Sequence, residues 1–130
     1  MLSLAIRTDQ PTAELHLYDG AKQVAVLSWR AHRQLAETIH TKIDELLKQA
    51  SKQLSDVEGV IVFSGPGSFT GLRIGASVAN ALSYSLQIPI VGTGGSDWLD
   101  QGLAALRSGQ NNRIVKPSYG AQANVSRKKR

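Results

Sequence analysis

The hydrophobic and polar positions at the start of the chain follow the pattern of three β-strands. Residues 2–6 form a continuous apolar run, which is typical of a strand buried on both faces. Residues 13–18 alternate apolar and polar side chains, as a half-buried strand does, and residues 24–29 form the returning strand. Between them, Asp19-Gly20 is a strong signal for a two-residue hairpin turn in which both residues adopt positive φ. The pattern predicts a β-meander.

The hydrophobic period then changes to that of a helix. Between residues 33 and 50 the apolar side chains recur at helical spacing and form one stripe, which consists of Leu35, Ile39, Ile43, Leu46, Leu47 and Ala50. Residues 60–63 are an apolar run typical of a central parallel strand. The remaining pattern predicts a second helix over 71–86, a short strand over 89–91 and a third helix over 96–107.

This order of elements predicts an α/β fold with a mixed five-stranded sheet. A β-meander followed by two α/β crossovers places helices on the faces of the sheet, which is the ribonuclease-H-like arrangement. A chain of 130 residues holds one such domain. We expect a lobe over residues 1–107 and a basic C-terminal tail over residues 108–130.

The charge is concentrated in that tail. Residues 1–100 carry eight Lys or Arg and ten Asp or Glu, whereas residues 101–130 carry seven Lys or Arg and no acidic residue. A basic tail indicates contact with phosphates or an acidic partner, although a solvated tail without a ligand explains the same composition. The candidate nucleic-acid contacts are Arg113, Lys116, Arg127, Lys128, Lys129 and Arg130.

Composition excludes several classes of protein. The absence of cysteine excludes a disulfide framework, a cysteine zinc or iron–sulfur site and a thiolate nucleophile. No apolar run approaches the ~20 residues of a membrane span, and the N-terminus lacks the basic region of a signal peptide. We therefore expect a cytoplasmic protein.

The candidate catalytic residues do not form a recognised constellation. A nuclease or ATPase of this fold needs a carboxylate on its first strand to hold Mg²⁺, but Arg7 stands there and Asp9 follows two residues later. The segment Gly67–Gly71 misses the spacing of a serine-nucleophile elbow by one residue. We expect no catalytic residue, no metal and no cofactor.

A glycine-rich loop precedes the second helix and consists of Gly65, Pro66, Gly67, Ser68, Phe69 and Thr70. Its position suggests that backbone amides hold an anion at the helix N-terminus. The spacing of its glycines matches neither a P-loop nor a dinucleotide fingerprint, which argues against nucleotide binding by this loop. A turn without a ligand is the favoured interpretation, and an anion on the backbone amides is the alternative.

Two parallel stripes distinguish the second helix. The small ridge consists of Gly71, Gly75, Ala79 and Ser83, and the large ridge consists of Ile74, Val78, Leu82 and Leu86. The large ridge is expected to face the sheet, which leaves the small ridge for the close approach of a helix from another molecule. The alternative is that the small ridge packs on the first helix of the same domain.

Residues 64–75 read Ser-Gly-Pro-Gly-Ser-Phe-Thr-Gly-Leu-Arg-Ile-Gly and closely resemble the signature of the bacterial TsaB family, also called YeaZ. Residues 4–8, 31–35 and 89–92 resemble three further segments of that family, and the resemblance runs through about residue 105. It implies the fold of one lobe of an actin-like ATPase without ATPase activity.

The resemblance also implies a function and partners. Such proteins are scaffolds that activate the catalytic subunit TsaD for threonylcarbamoylation of adenosine 37 in tRNA, with TsaE as a third member. The contact with TsaD is expected through helices 33–50 and 71–86, with a homodimer as the alternative when TsaD is absent, and contact with tRNA is indirect or through the tail. The implied partner-binding residues are His32, Leu35, Gly71, Arg73, Gly75, Ala79 and Ser83.

Two departures from the family pattern bear on this function. The family has Asp where Arg7 stands, and it has a second lobe, so the sequence resembles a shortened form in which residues 117–129 match the family's C-terminal segment only faintly. Two other functions stay open: a small nucleic-acid-binding protein with an inert ribonuclease-H-like body, and a hydrolase or ATPase.

Overall fold

The structure is a computed structural model, and it describes residues 1–118 except for the side chain of Phe69. Within that part of the chain the strands are β1 Leu2–Arg7, β2 Thr12–Asp19, β3 Lys22–Arg30, β4 Gly59–Phe63 and β5 Ile90–Thr93. The helices are α1 Leu35–Gln49, α2 Phe69–Leu86 and α3 Trp98–Arg107, with short 3-10 turns at His32–Gln34 and Leu54–Asp56. The predicted order of strands and helices is confirmed, and α2 begins two residues earlier than predicted.

The five strands form one mixed sheet in the order β3-β2-β1-β4-β5. The meander β1–β3 is antiparallel, and β1, β4 and β5 run parallel to one another. β1 therefore lies in the centre, and the parallel strands end at a common edge of the sheet. The predicted mixed five-stranded α/β fold is confirmed.

The hairpin between β2 and β3 differs by one residue from the prediction. Asp19 pairs with Lys22 in the ladder, so the two loop residues are Gly20 and Ala21 rather than Asp19 and Gly20. Of these loop residues only Gly20 has positive φ, at 63°. A positive φ at the first loop position alone is the pattern of a type II′ turn, which needs glycine there.

The helices cover the two faces of the sheet unequally. α1 and α2 lie side by side over the face that carries the alternate residues of β1, β2 and β4, which include Leu4, Ile6, Leu15, Leu17, Val60 and Val62. α3 covers the opposite face over β4 and β5, where Trp98, Leu103 and Leu106 pack on Ile61 and Phe63. Within residues 1–118, no helix is both long and apolar enough to cross a membrane.

The orientation of α2 is the reverse of the prediction. The small ridge, not the large ridge, faces the sheet: Gly75, Ala79 and Ser83 are buried, whereas Ile74 and Val78 of the large ridge are only half-buried. Gly71 and Gly75 lie against Thr8, the residue that follows β1, and α2 packs on β4 and on β1. Gly75, Ala79 and Ser83 are therefore closed to a second molecule, whereas Gly71 is half-buried.

Thr8 provides the physical reason for this orientation. Its buried hydroxyl donates a hydrogen bond to the carbonyl oxygen of Gly71 over 2.7 Å. A Cβ at Gly71 would overlap the carbonyl oxygen of Thr8, and a Cβ at Gly75 would overlap its hydroxyl. The helix can cross the end of β1 at this distance only because both positions lack a side chain.

The packed part of the chain continues beyond Arg107, where the sequence analysis ended the lobe. Residues 111–118 run along the outer edge of β5, and Val115 is buried there. Arg113 and Lys116 are exposed on this segment. The other candidate nucleic-acid contacts, Arg127, Lys128, Lys129 and Arg130, lie outside the described residues.

Substitution of Gly75 tests the contact between α2 and Thr8. Alanine gains about 1 kcal/mol of helix propensity over glycine, but its methyl group overlaps the Thr8 hydroxyl. We expect Gly75→Ala to lower the free energy of unfolding by about 1–3 kcal/mol, as overpacking does. The exposed Ser77→Ala on the same helix should change it by less than about 0.5 kcal/mol. Urea unfolding followed by circular dichroism measures both, and an unchanged or raised stability of Gly75→Ala would contradict the contact.

Candidate functional site

A crevice of about 330 Å³ opens at the carboxyl end of β1. Three segments form its walls: the residues after β1, the connection from β3 to α1, and the first turn of α2. Its lining comprises Thr8, Asp9, Gln10, Pro11, Ala31, His32, Arg33, Leu35, Ser68, Thr70, Gly71 and Ile74. In parallel α/β sheets this edge is where ligands bind, so the crevice is the first candidate site.

The backbone brings the β3–α1 connection against the residues after β1. The His32 N–H donates to the carbonyl oxygen of Pro11 over 3.1 Å, and His32 has φ of 48°, in the left-handed region. This conformation turns the chain sharply before α1 and leaves the His32 side chain exposed at the mouth of the crevice. Leu35, at the start of α1, is buried beneath it.

Arg7 and Asp9 form a two-bond ion pair beside the crevice. The Arg7 Nε and Nη2 donate to the two carboxylate oxygens of Asp9 over 2.7 and 3.3 Å, and the guanidinium lies 4.0 Å from the centre of the Phe63 ring. The Asp9 side chain is 7% exposed and that of Arg7 is 22% exposed. The hydrogen bond to Asp9 raises the pKa of Arg7, although burial lowers it, and the charges of Asp9 and Glu14 raise it further.

The Arg7–Asp9 ion pair disfavours a metal ion at the end of β1. The Asp9 carboxylate uses both oxygens on a cation that the chain itself supplies, so a metal ion placed there would meet the positive charge of Arg7. Across residues 1–118, no group of three or more metal-binding side chains lies close enough together to hold an ion.

A second depression continues from the crevice along the outer side of α1 and α2. It has a volume of about 420 Å³ and shares Thr70 and Ile74 with the crevice. Ile74 and Val78 of the large ridge form its apolar floor, and its remaining lining residues are Ala36, His40, Thr70, Arg73 and Ser77. We call it the α1–α2 groove.

The partner-binding residues expected from the sequence divide into two groups. His32, Leu35 and Gly71 lie around the crevice, and Arg73 lies in the α1–α2 groove. The other three, Gly75, Ala79 and Ser83, are buried beneath α2 and present no surface. The physical reason is the contact with Thr8, which turns the small ridge towards the sheet.

The residues of the glycine-rich loop also lie in different surroundings. Ser68 and Thr70 line the crevice and Pro66 is exposed, while Phe69 is the first residue of α2. Gly67 packs against Asp9, since a Cβ there would lie 2.7 Å from the Asp9 Cβ. Gly65 has φ of 116°, a conformation that favours glycine, and its backbone lies against Ser118.

Several site residues were not identified from the sequence. Ala36, His40 and Ser77 line the α1–α2 groove, and the helical periodicity that predicted α1 and α2 places them off the buried stripes. Thr8 had no sequence signal of its own. Its role depends on Gly71 and Gly75, more than sixty residues later in the chain.

The sequence of this chain is similar to those of known proteins. Residues 25–98 match the family model described as "TsaD: tRNA N6-adenosine threonylcarbamoyltransferase". A tRNA N6-adenosine threonylcarbamoyltransferase of Geotalea uraniireducens is 45% identical over 62 residues, which are 48% of this chain and 18% of that protein. The tRNA threonylcarbamoyladenosine biosynthesis protein TsaB of Buchnera aphidicola is 38% identical over 88 residues, or 68% of this chain and 39% of that protein.

Two solved structures are similar to this chain, one in sequence and fold and the other in fold alone. YeaZ from Pseudomonas aeruginosa superimposes with a TM-score of 0.68 at 27% identity, over 83% of this chain and 49% of that one. RuvC of Thermus thermophilus superimposes with a TM-score of 0.52 at 14% identity, over 95% of this chain and 87% of that one, which shows the ribonuclease-H-like fold alone. The chain spans about half of the YeaZ structure and less than half of these two curated relatives.

A double-mutant cycle measures the interaction energy between Arg7 and Asp9 at the end of β1. We expect Arg7→Met to destabilise the fold by more than Asp9→Asn does, because it leaves a nearly buried carboxylate without its partner. The double variant should recover part of the loss, with a coupling of about 0.5–3 kcal/mol in urea unfolding. Strictly additive effects would show that the two groups do not interact. The pair Lys42 and Glu45, whose carboxylate is more exposed than that of Asp9, provides the control.

Proposed function

The chain belongs to the tRNA N6-adenosine threonylcarbamoyltransferase (TsaD) family, in which it is of the TsaB/YeaZ type, and we propose that it is a non-catalytic subunit that binds and activates TsaD. TsaB/YeaZ proteins serve the biosynthesis of threonylcarbamoyladenosine in tRNA. In this proposal the chain supplies a binding surface, and TsaD carries out the transfer to adenosine 37.

The α1–α2 groove is the observation that carries the proposal. Its floor is apolar and consists of large-ridge side chains that the described part of the chain covers only in part. Its rim is exposed and includes the small side chains of Ala36 and Ser77. A floor of this kind beneath a rim of small residues suits a helix from a partner, since protein interfaces combine an apolar core with a polar rim.

The proposed partner surface therefore differs in its residues from the surface expected from the sequence. Arg73 stays in it, and His32 and Leu35 lie at the adjoining crevice. Gly71 and Gly75 support it from below, because their contact with Thr8 holds the large ridge towards the groove, and Ala79 and Ser83 are buried on α2. A TsaD helix would then pack on Ile74 and Val78 rather than on glycine.

The Arg7–Asp9 pair supports the non-catalytic part of the proposal. An ATPase or nuclease of this fold requires an available carboxylate at the end of the first strand. Here that position is Arg7, and the carboxylate of Asp9 is held by it in two hydrogen bonds. Binding and activation of another subunit need no such carboxylate.

The proposal includes three further associations. A second copy of the chain would use the same groove when TsaD is absent, so the two associations compete. TsaE would be a third member of the complex. Contact with tRNA would be indirect or through exposed basic residues, of which Arg113 and Lys116 lie in the described part of the chain.

Two alanine-to-arginine substitutions test the groove. Ala36 is an exposed residue of α1 at the groove, and Ala104 is an exposed residue of α3 on the opposite face of the sheet. We expect Ala36→Arg to weaken binding of TsaD roughly ten- to a hundredfold, because steric overpacking costs about 1–3 kcal/mol. Ala104→Arg, which adds the same side chain and charge, should bind TsaD as the unchanged chain does. Titration calorimetry with TsaD of the same organism measures both affinities.

Either of two outcomes would contradict the proposed surface. Unchanged affinity of Ala36→Arg would mean that TsaD does not bind at the groove. An equal loss of affinity in Ala104→Arg would mean that the effect comes from added charge or from the other face. Melting curves of both variants, which should match that of the unchanged chain, ensure that folding is not the cause.

A further inference from the structure

Residues 111–118, which we call the strap, lie along the free edge of β5 and are attached to it by side-chain amides. The Oδ1 of Asn111 accepts from the Ile90 N–H over 3.1 Å, and the Oδ1 of Asn112 accepts from the Gly92 N–H over 2.9 Å. The Asn112 N–H donates to the Ile90 carbonyl oxygen over 2.8 Å. The strap thus satisfies donors and an acceptor that an edge strand would otherwise present to another strand.

The middle of the strap is clamped from α2. The Asn80 side chain donates to the Val115 carbonyl oxygen and accepts from the Val115 N–H, each over 2.9 Å. Val115 itself is 6% exposed and fills a notch at Gly92, where an added Cβ would lie 2.6 Å from a Val115 methyl group. Gly92 and Asn80 together form a socket for one aliphatic residue of an extended chain.

The far end of the strap contacts the glycine-rich loop. The Ser118 N–H donates to the Ser64 carbonyl oxygen over 2.7 Å, and the backbone of Gly65 lies directly against Ser118. Ser64 in turn donates its N–H to the Thr93 carbonyl oxygen over 2.8 Å. The start of the loop is therefore held between the end of β5 and the strap.

The strap buries little apolar surface. Val115 is its one buried side chain, and Ile114 beside it is 67% exposed. Arg113 has φ of 67°, which is unfavourable for a residue with a side chain. Before the strap, Gly109 has φ of 87° and ends α3, where its N–H donates to the Leu106 carbonyl oxygen. Segments with few buried apolar contacts separate locally while the rest of the fold stays intact.

We propose that the strap is a detachable cover, which opens as one unit while the sheet stays folded and thereby frees the edge of β5 and the glycine-rich loop together. When it opens, the N–H groups of Ile90 and Gly92 and the Ile90 carbonyl become available at an empty socket. The inference does not depend on the proposed binding of TsaD.

Amide hydrogen exchange on the full chain, followed by NMR, tests the proposal. Four of the amides that the strap protects serve as probes, those of Ile90, Gly92, Val115 and Ser118. The reference is the Val60 amide, which bonds to the Pro89 carbonyl oxygen inside the sheet. We expect the four to share one protection factor, at least roughly a hundredfold below that of Val60, since local opening precedes global unfolding. Four different values, or values equal to that of Val60, would overturn the proposal.

A substitution in the clamp gives a second, independent result. Asn80→Ala removes both bonds to Val115, and we expect it to lower the protection of the Ile90, Gly92 and Ser118 amides by the same factor, roughly tenfold. The Val115 amide, which loses its own acceptor, should exchange faster still. The protection of Val60 should fall by no more than the same factor, because the two bonds are also lost when the whole chain unfolds. Gln110→Ala, an exposed residue just before the strap, is the matched control and should change none of them. A loss of protection confined to Val115 would show separate contacts and overturn the proposal.

Discussion

The contact of Thr8 with Gly71 and Gly75 determines how the rest of the molecule is arranged. Its buried hydroxyl is bonded to the Gly71 carbonyl oxygen, and neither glycine position has room for a Cβ. α2 therefore crosses the end of the central strand at backbone distance, with the small ridge inward. Two glycines in a helix cost about 1 kcal/mol each relative to alanine, and the close contact with Thr8 is the structural reason for that cost here.

The crevice and the α1–α2 groove both follow from that crossing. Because α2 begins directly above the end of β1, its first turn forms one wall of the crevice. Because the small ridge is occupied, Ile74 and Val78 remain half-buried beside α1 and form the floor of the groove. The Arg7–Asp9 pair lies at the same end of β1. The two depressions share residues, so a partner bound in the groove would also reach the crevice.

Periodicity along the chain was sufficient to predict the strands, the helices and the mixed sheet, because each depends on neighbouring residues. It failed for the face of α2. Small residues at helical spacing have the same pattern whether a helix or the end of a strand packs on them, and Thr8 is far from them in sequence. The strap was missed for a related reason, since Asn80 and Val115 are 35 residues apart. Side-chain-to-backbone bonds over such distances leave no periodic pattern.

The small ridge of α2 faces the sheet, and thiol reactivity tests this orientation directly because the chain contains no cysteine. Ser77→Cys and Ser83→Cys introduce the same side chain on the outward and inward faces of α2, at an exposed and a buried serine. In native buffer the thiol at position 77 should react rapidly with Ellman's reagent. The thiol at position 83 should react at least roughly a hundredfold more slowly, since it becomes accessible only when the helix separates from the sheet. In urea the two rates should become equal. Equal rates in native buffer, with the fold of both variants intact by circular dichroism, would contradict the account.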